Sequence, residues 1–219
     1  MTSNIGIYVF TGSVNKKRCD CIKETWGKDL RIDFFTDLDS GQLEKGFHLG
    51  SLKGGYRSHL EKNAKAMMYA YRIDQGCTAK DWHLFVGDDN YVFTDNLEKF
   101  VKDKDPNELH VFGQVEANYP KIPELMYPTG GAGHLFSRGA LDFFMKNGPL
   151  DIVDFFMSEE YSDVAVGKIL DSINLEPTDA KGFFSQPPEH YGIDDPENHI
   201  VFHYISTKKQ FENLYDRQK

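Results

Sequence analysis

The chain has 219 residues, a length that suits one α/β domain with room for a sizeable core. Hydrophobic residues make up 40 % and charged residues 27 % of it, which excludes both a disordered chain and a membrane bundle. Its net charge of −9 at pH 7 argues against general nucleic-acid binding, which needs a basic field. If such an acidic protein binds a nucleotide, it must supply cations locally.

Targeting signals and cysteines are sparse. No apolar run approaches the ~18–20 residues of a membrane-spanning helix, and the opening residues lack the basic start of a signal peptide. The three cysteines, Cys19, Cys21 and Cys77, do not indicate a disulfide framework and favour a reducing compartment. Cys19 and Cys21 have no second cysteine pair beside them, so we expect buried small residues rather than zinc ligands.

Short apolar runs alternate with segments of helical period, which is typical of a mainly parallel sheet covered by helices. In chain order, strands are predicted at Ile5–Thr11, Ile32–Thr36, Trp82–Val86 and Leu109–Phe112, with a short β-like run at Ile200–Ile205. Helices are predicted at Lys17–Thr25, Ser58–Ile73, Asn96–Val101, Ser137–Lys146 and Asp163–Ile173. Because no linker divides the chain, residues 1–219 are predicted to form a single domain.

An acidic cluster, Gly87-Asp88-Asp89-Asn90, directly follows the third predicted strand. Ligands of open α/β sheets bind beyond the carboxyl ends of strands, so this is a candidate site. Two adjacent carboxylates repel each other unless a cation compensates, and Mg²⁺ or Mn²⁺ would do so while holding the diphosphate of a nucleotide. The alternative is a solvated Asx-type turn with Asn90 at its corner.

His199 and His203 are spaced four residues apart, as metal ligands on a helix would be. The segment between them is apolar, β-branched and aromatic, which favours a strand on which the two rings stand roughly 13 Å apart. They cannot then share one metal. One of them could join Asp89 in a mixed oxygen and nitrogen set that suits Mn²⁺ better than Mg²⁺. A structural histidine is the alternative for either residue.

Two further segments have a structural and a functional interpretation. The glycine-rich run Thr129–Gly133 lets a ligand approach the backbone closely, although such a run before a helix is more often only a turn. Asp163 begins a predicted helix, where the helix dipole alone would favour a carboxylate. If Ser162 caps that helix instead, Asp163 is free to point into a site.

Taken together, these motifs identify a resemblance. The acidic cluster with Trp82 and the stretch Tyr127–Gly133, followed by Ser137-Arg138-Gly139, resemble the Fringe-like β1,3-glycosyltransferases, a group that includes the core 1 galactosyltransferase. Weaker matches in the same order extend the resemblance over nearly the whole chain: Thr11, Arg18 ahead of Thr25-Trp26, Phe34–Asp37, Lys65, Ser162–Gly167 and Phe202-His203-Tyr204.

The resemblance implies a GT-A fold, in which residues 1–90 form the nucleotide-sugar-binding half and residues 91–219 the acceptor-binding half with a metal-binding carboxyl-terminal segment. It implies an inverting enzyme that uses Mn²⁺, with Mg²⁺ as the alternative. The donor would be a UDP-sugar carrying a hexosyl, N-acetylhexosaminyl or pentosyl group, and the acceptor a glycan or glycoprotein.

Roles carry over from the family by position. Asp89 and His203 resemble the metal ligands, and Asp163 matches the catalytic base. The positions that match the donor-binding residues are Thr11, Arg18, Asp37, Lys65, Asp88 and Asn90. Gly130, Gly131 and Ala132 belong to the loop that lets donor and acceptor approach the backbone.

The chain departs from the family in two respects. Fringe carries an Asp where this chain has Gly87, so the full Asp-x-Asp pattern is broken. The membrane anchor and cysteines of secretory-pathway relatives are also absent, which predicts either a cytoplasmic bacterial or viral enzyme or an excised catalytic domain of the Golgi lumen. Two other functions stay open: a degenerate protein that binds sugars or nucleotide-sugars without turnover, and a metal-dependent phosphoesterase.

Overall fold

The computed structural model describes residues 4–37, 46–51, 54–55, 57–76, 79–117, 119–193 and 198–218. Its strands, in chain order, are β1 (Ile5–Phe10), β2 (Ile32–Asp37), β3 (Phe47–Ser51), β4 (Trp82–Gly87), β5 (Tyr91–Val92), β6 (Val111–Gly113), β7 (Val115–Glu116), β8 (Tyr127–Pro128), β9 (His134–Ser137), β10 (Thr178–Asp179), β11 (Phe183–Phe184) and β12 (Val201–Phe202). Its helices are α1 (Lys16–Glu24), α2 (Ser58–Asp74), α3 (Thr94–Val101), α4 (Arg138–Asn147), α5 (Ile152–Ser158), α6 (Ser162–Ser172), α7 (Pro188–Tyr191) and α8 (Lys208–Gln218).

A seven-stranded sheet forms the middle layer, with the spatial order β10-β6-β9-β4-β1-β2-β3. β1 pairs in parallel with β2 and β4, β2 with β3, and β6 with β10. β9 runs antiparallel to its two neighbours, β4 and β6. The carboxyl ends of β1, β2 and β4 therefore meet the amino end of β9 at one edge, which is where ligands bind in open α/β sheets.

Helices cover both faces of this sheet, which is why its central strands are apolar on both sides. In β1, Ile7 and Val9 pack against residues of α1, α3 and α8 on one face. Tyr8, between them, packs on the other face with residues of α2, α4, α5 and α6. Cys19 and Cys21 are buried in the first of these clusters, as their spacing predicts, whereas Cys77 lies outside the described residues.

A small second sheet connects the end of the chain to the acidic turn. β12 pairs in parallel with β11 and antiparallel with β5, with Phe202 opposite Tyr91. Since β5 follows Asn90 directly, this pairing brings the residue after β12, His203, beside the turn after β4. A separate pair, β7 and β8, leads the chain back to Thr129.

The strands and helices predicted from hydrophobic periodicity are present, with ends shifted by a few residues. The periodicity missed β3, β9, α5 and α8, together with the two-residue strands β5, β7, β8, β10 and β11 and the four-residue helix α7. Ser137 was predicted as the first residue of a helix; it is instead the last residue of β9 and the N-cap of α4, where its side chain accepts a hydrogen bond from the N–H of Ala140. In β9 only Leu135 and Phe136 are apolar, so this strand lacks a run long enough to recognise.

Candidate active site

A cavity of about 540 Å³ opens at the edge where β1, β2 and β4 end. Most of the predicted site residues line it: Thr11, Asp37, Asp88, Asp89, Asn90, Gly130, Gly131, Asp163 and His203. Arg18 reaches the lining carboxylates from α1. Ala132 is fully buried in the core beneath the loop. Lys65 is not part of the lining. Its Nζ lies 2.7 Å from Glu61 Oε1, one turn away on α2.

The segment after β4 is a tight turn organised by Asn90, but Asn90 and Asp88 are buried, so it is not the solvated turn of the alternative interpretation. Asn90 Oδ1 accepts a hydrogen bond from the N–H of Gly87 at 2.7 Å. Asn90 Nδ2 donates to the carbonyl oxygens of Gly131 at 2.6 Å and Phe202 at 3.4 Å. The amide of Asn90 therefore joins β4, the glycine run and β12, and these bonds occupy both of its polar atoms.

Asp88 is buried and paired. Its Oδ2 accepts a hydrogen bond of 2.7 Å from the hydroxyl of Thr11, and its Oδ1 accepts one of 2.8 Å from Arg18 Nη1. The N–H of Asp88 donates to the carbonyl of Phe10 at 2.9 Å. These contacts tie the ends of β1 and β4 to α1, so Asp88 supports the site and compensates the charge of Arg18.

Asp89 and His203 face each other, with Asp89 Oδ1 3.4 Å from His203 Nε2. His203 Nδ1 lies 3.1 Å from the carbonyl oxygen of Ser185, which can only accept, so Nδ1 carries the proton and donates. In neutral His203 the lone pair of Nε2 then faces a carboxylate. Burial would raise the pKa of Asp89, but Arg18, together with His203 when that ring is protonated and donates from Nε2, holds it below its ordinary value of 3.8.

This pair has the separation expected of two ligands of one ion. Adjacent ligands held about 2.1 Å from Mg²⁺ lie about 3 Å apart, close to the observed 3.4 Å. A cation between Asp89 and Nε2 would also remove the repulsion between their facing lone pairs. In metal sites the ring nitrogen that does not bind the metal commonly donates a hydrogen bond, as Nδ1 of His203 does to Ser185. Over the described ranges, no group of three His, Cys, Asp or Glu side chains could hold a metal. The pair therefore needs ligand oxygens from a substrate or from water to complete a coordination shell.

His199 lies apart from this pair. Its ring contacts those of Phe184 and Phe202, and it is not among the residues that line the cavity. The short strand β12 separates it from His203, as the apolar, β-branched sequence between them predicts.

Lys62 is a cavity residue that the sequence analysis missed. Only 5 % of it is exposed; its Nζ donates to the carbonyl of Thr11 at 2.8 Å and lies 3.5 Å from Asp37 Oδ2. Burial lowers the pKa of Lys62, against the raising effect of Asp37. The sequence signal for the burial of Lys62 was its spacing, one turn before Ala66 and two turns before Ala70, which places it on the same face of α2 as these small buried residues.

Asp163 is fixed by backbone groups. Its Oδ2 accepts a hydrogen bond of 2.9 Å from the N–H of Gly130, and its Oδ1 accepts one of 2.9 Å from the N–H of Val164. Ser162 does not cap α6, contrary to the expectation above: it is the first helical residue, and the N-cap position is occupied by Tyr161, whose side chain does not cap the helix. The carboxylate is nevertheless turned toward the glycine run and lines the cavity.

The glycine run Thr129–Gly133 lies between His203 and Asp163. A Cβ at Gly131 would lie 2.6 Å from His203 Nδ1, and one at Gly130 would lie 3.4 Å from Asp163 Oδ2. Gly133 has a φ of +78°, in the region that favours glycine. Because Gly131 has no side chain, the backbone beside His203 can approach its ring directly.

Two further buried polar residues of the cavity are not evident from the sequence: Asn63 on α2 and His134 at the start of β9. They are 2 % and 1 % exposed. Asn63 Oδ1 and His134 Nδ1 have no hydrogen-bond partner in the described part of the chain. Burial lowers the pKa of His134 to about 4, although the charge of Asp163 acts to raise it. His134 is therefore neutral near pH 7.

The fold matches that of a solved glycosyltransferase. A crystal structure of a glycosyltransferase involved in the glycosylation of the major capsid of PBCV-1 aligns with a TM-score of 0.52 and 15 % identity, over 95 % of this chain and 99 % of that one. The predicted α/β, GT-A-like fold is confirmed. No helix of the described residues is both long and apolar enough to cross a bilayer.

Two curated relatives are similar over much of the chain. The Glycoprotein-N-acetylgalactosamine 3-beta-galactosyltransferase 1 of Xenopus laevis is 26 % identical over 202 residues, 92 % of this chain and 53 % of that protein. The Beta-1,3-N-acetylglucosaminyltransferase lunatic fringe of Danio rerio is 24 % identical over 183 residues, 74 % of this chain and 48 % of that protein. The chain thus spans about half the length of the curated relatives it matches.

The family model described as Fringe-like matches residues 3–191, nearly the whole chain. The chain belongs to the Fringe-like family, and the resemblance identified from the acidic and glycine-rich motifs is confirmed.

Proposed function

We propose that this protein transfers a sugar from a UDP-sugar to a hydroxyl of a glycan or glycoprotein acceptor, in an inverting, metal-dependent reaction of the β1,3 type. The observation that carries the proposal is a single cavity that contains both the Asp89–His203 pair and the backbone-anchored carboxylate of Asp163. The printed names of the two relatives, a 3-beta-galactosyltransferase and a beta-1,3-N-acetylglucosaminyltransferase, support the linkage type.

Asp89 and His203 would hold the metal. A divalent ion bound there would supply positive charge to the diphosphate as it departs. The ligand set of one carboxylate and one imidazole favours Mn²⁺ over Mg²⁺ and fits Ca²⁺ poorly. His203 is kept in the correct tautomer by its bond to Ser185, so Nε2 is the nitrogen available to the ion.

Thr11, Asp37 and the two nearby cations would bind the nucleotide. Arg18 lies 2.8 Å from Asp88 and 3.8 Å from Asp89, and Lys62 lies deep between Thr11 and Asp37. These cations are the local positive charge that a protein of net charge −9 needs for a diphosphate.

Asp163 is proposed as the general base. Its carboxylate removes the proton from the acceptor hydroxyl while the hydroxyl oxygen forms a bond to the anomeric carbon, and the bond from that carbon to the diphosphate oxygen breaks as UDP leaves. A hydroxyl is a weak nucleophile at neutral pH, and a positioned base typically contributes ~10²–10⁴-fold. The N–H groups of Gly130 and Val164 orient the carboxylate for this step.

The proposal is tested by incubating the protein with Mn²⁺, a panel of UDP-sugars and a panel of glycan acceptors, and by measuring both UDP release and the glycosylated product. UDP release that rises with acceptor and stops with EDTA supports transfer. Release that is independent of acceptor indicates a phosphoesterase instead. Tight Mn²⁺-dependent UDP-sugar binding without release indicates a binding protein.

The alternative of a protein that binds UDP-sugars without turnover rests on Gly87, because Fringe carries an Asp at this position. A Cβ at this position would lie 2.8 Å from Asp89 Oδ1 and 3.2 Å from Asn90 Oδ1, so an Asp there requires Asp89 to move. The turn is thus adapted to glycine, and Asp89 retains its place beside His203 without a third carboxylate.

A further inference from the structure

The polar groups at the base of the cavity differ in whether they have partners. Those near Asp88 and Asp89 are hydrogen-bonded to the protein, whereas Asn63 Oδ1 and His134 Nδ1 have no partner within the described residues. A buried polar atom left unpaired costs about 1–3 kcal/mol, and such atoms are rare in native proteins. Because both residues line the cavity, the polar groups of a bound ligand can pair with them.

Both side chains lie on the same side of the central sheet. Leu135 packs on the face covered by α1, α3 and α8, and Phe136 on the face covered by α2 and α6. Because side chains alternate along a strand, His134 shares the face of Phe136. Asn63 lies on α2 next to Leu60 and Ala64, which pack on that same face.

The position of Asp163 indicates which part of a substrate meets them. Asp163 begins α6, lines the same cavity and acts electrostatically on His134. If Asp163 is the base, the anomeric carbon under attack lies near it, and the sugar on that carbon occupies the adjacent enclosed space. The acceptor would then enter past Tyr204 and Val14, lining residues that are 52 % and 91 % exposed.

We propose that Asn63 and His134 form a subsite that binds hydroxyl groups of the transferred sugar, and so determine which UDP-sugar is accepted. A hydroxyl both donates and accepts, so it can donate to Asn63 Oδ1 and to the unprotonated nitrogen of a neutral His134. A site built to bond a hydroxyl strongly rejects analogues that lack it. This inference rests on the proposed function, because it presumes a UDP-sugar donor.

The test measures, by isothermal titration calorimetry with Mn²⁺ present, the affinity for UDP and for UDP-galactose, UDP-glucose, UDP-N-acetylglucosamine and UDP-N-acetylgalactosamine. The quantity compared is the ratio of the affinity for the tightest UDP-sugar to that for UDP. In Asn63→Leu and His134→Phe we expect this ratio to fall about tenfold while the affinity for UDP stays within twofold. His134→Gln, which keeps a polar group, should recover part of the loss.

His83→Phe is the matched control. His83 is fully buried on β4, where its Nδ1 lies 3.2 Å from the Tyr8 hydroxyl and its Nε2 2.7 Å from Asp74 Oδ2, and it does not line the cavity. We expect it to lower the melting temperature and to leave the ratio unchanged. Asn63→Leu and His134→Phe should leave the melting temperature of the free protein unchanged or raised, because they remove unpaired polar atoms.

A ratio within twofold of wild type in both variants overturns the inference and shows that ordered water satisfies these atoms. If wild type binds none of the four sugars differently from UDP, the inference also fails. Failure to bind UDP at all instead overturns the proposed function. Wild-type binding of UDP-sugars that each lack one hydroxyl provides a test that needs no variant: the inference requires a loss of about tenfold for at least one of them.

Discussion

Asp88 and His134 are both buried polar side chains that line the same cavity, but they differ in whether the protein supplies them with hydrogen-bond partners. Asp88 accepts hydrogen bonds from Thr11 and Arg18. His134 Nδ1 has none from the part of the protein that the structure describes. The first arrangement holds three elements in place without a ligand, whereas the second, as inferred above, binds a sugar hydroxyl.

This difference distinguishes residues that support the structure of the site from residues that we propose bind its ligand. Asn90 and Asp88 have their hydrogen-bonding capacity engaged by the protein, so their replacement should disturb structure first. Asp163 is intermediate: backbone groups fix its carboxylate, which still faces the cavity. The following predictions test this division, beginning with the largest expected effect.

Asp163→Asn should reduce sugar transfer at least a hundredfold, because it keeps the shape of the side chain and removes the base. The affinity for UDP-sugar with Mn²⁺ should change little, and the melting temperature should fall slightly, because Asn has one acceptor oxygen for the two N–H groups that bond to Asp163. Rates are measured by product formation under saturating donor. Asp171→Asn, an exposed residue of the same helix, is the control and should retain wild-type rates. Near-normal transfer by Asp163→Asn would show that another group takes the proton.

Asp89→Ala and His203→Ala should each remove most of the Mn²⁺-dependent affinity for UDP. We expect a loss of at least about a hundredfold, because replacing residues that only hydrogen-bond to a metal ligand already costs about 10–100-fold in metal affinity. His199→Ala should retain that affinity, because its ring packs against Phe184 and Phe202. Thermal shifts with UDP in Mn²⁺ and in EDTA provide the measurement. Equal losses in the two histidine variants would contradict the assignment of His203.

His134 should make the protein less stable in mild acid. Burial lowers its pKa from 6.5 to about 4. Between these pH values His134 is therefore protonated in the unfolded chain and neutral in the folded chain. The free energy of unfolding should therefore fall, by up to about 3 kcal/mol, as the pH drops from 6.5 to 4. Urea titrations at these two pH values should show a smaller fall in His134→Phe, and parallel profiles would contradict the prediction.

Arg18→Ala should weaken UDP binding by about 1.5–3 kcal/mol if the guanidinium contacts the nucleotide. It should also lower the melting temperature, because Asp88 is then left as a buried carboxylate with Thr11 as its remaining side-chain donor. The exposed neighbour Lys17→Ala is the control for both measurements. An unchanged dissociation constant for UDP would limit Arg18 to supporting Asp88.

Lys62→Met and Lys65→Met should have unequal effects. Lys62 is buried against Thr11 and Asp37, so its loss should weaken UDP binding by about 1 kcal/mol. Lys65 pairs with Glu61 outside the cavity lining, and its loss should stay within about 0.5 kcal/mol. Calorimetric titration with UDP distinguishes them, and the reverse order would restore Lys65 to the nucleotide site.

The sequence was sufficient to predict the parts of the fold that rest on long periodic segments. β1, β4 and α2 have enough apolar positions to show their period, and both faces of the sheet are buried around them. β9 is only four residues long and begins with His134 and ends with Ser137, so its existence depends on pairing with β4 and β6. Tertiary pairing of this kind leaves no local pattern.

The site was predictable where the chain brings residues together at a strand end, as at Asp88 and Asp89. Asp163 and His203 were found through the family resemblance, and their roles stay predictions. Lys62 and Asn63 were missed because the helical period places Lys62 in line with Ala66 and Ala70 but does not show whether a polar side chain there is buried. Their burial follows from where α2 packs, which periodicity places only to within a turn.

The hydrogen bond from Asn90 to the carbonyl of Phe202 joins residues 112 positions apart in the chain. Contacts of such long range carry a high loop-closure cost and slow the formation of native structure. The parallel core of β1, β2 and β4 can assemble from neighbouring segments, whereas the Asp89–His203 pair must wait until β12 has joined β5. We therefore expect refolding to recover the central sheet first and ligand binding last, so that newly made protein would be compact before it is functional.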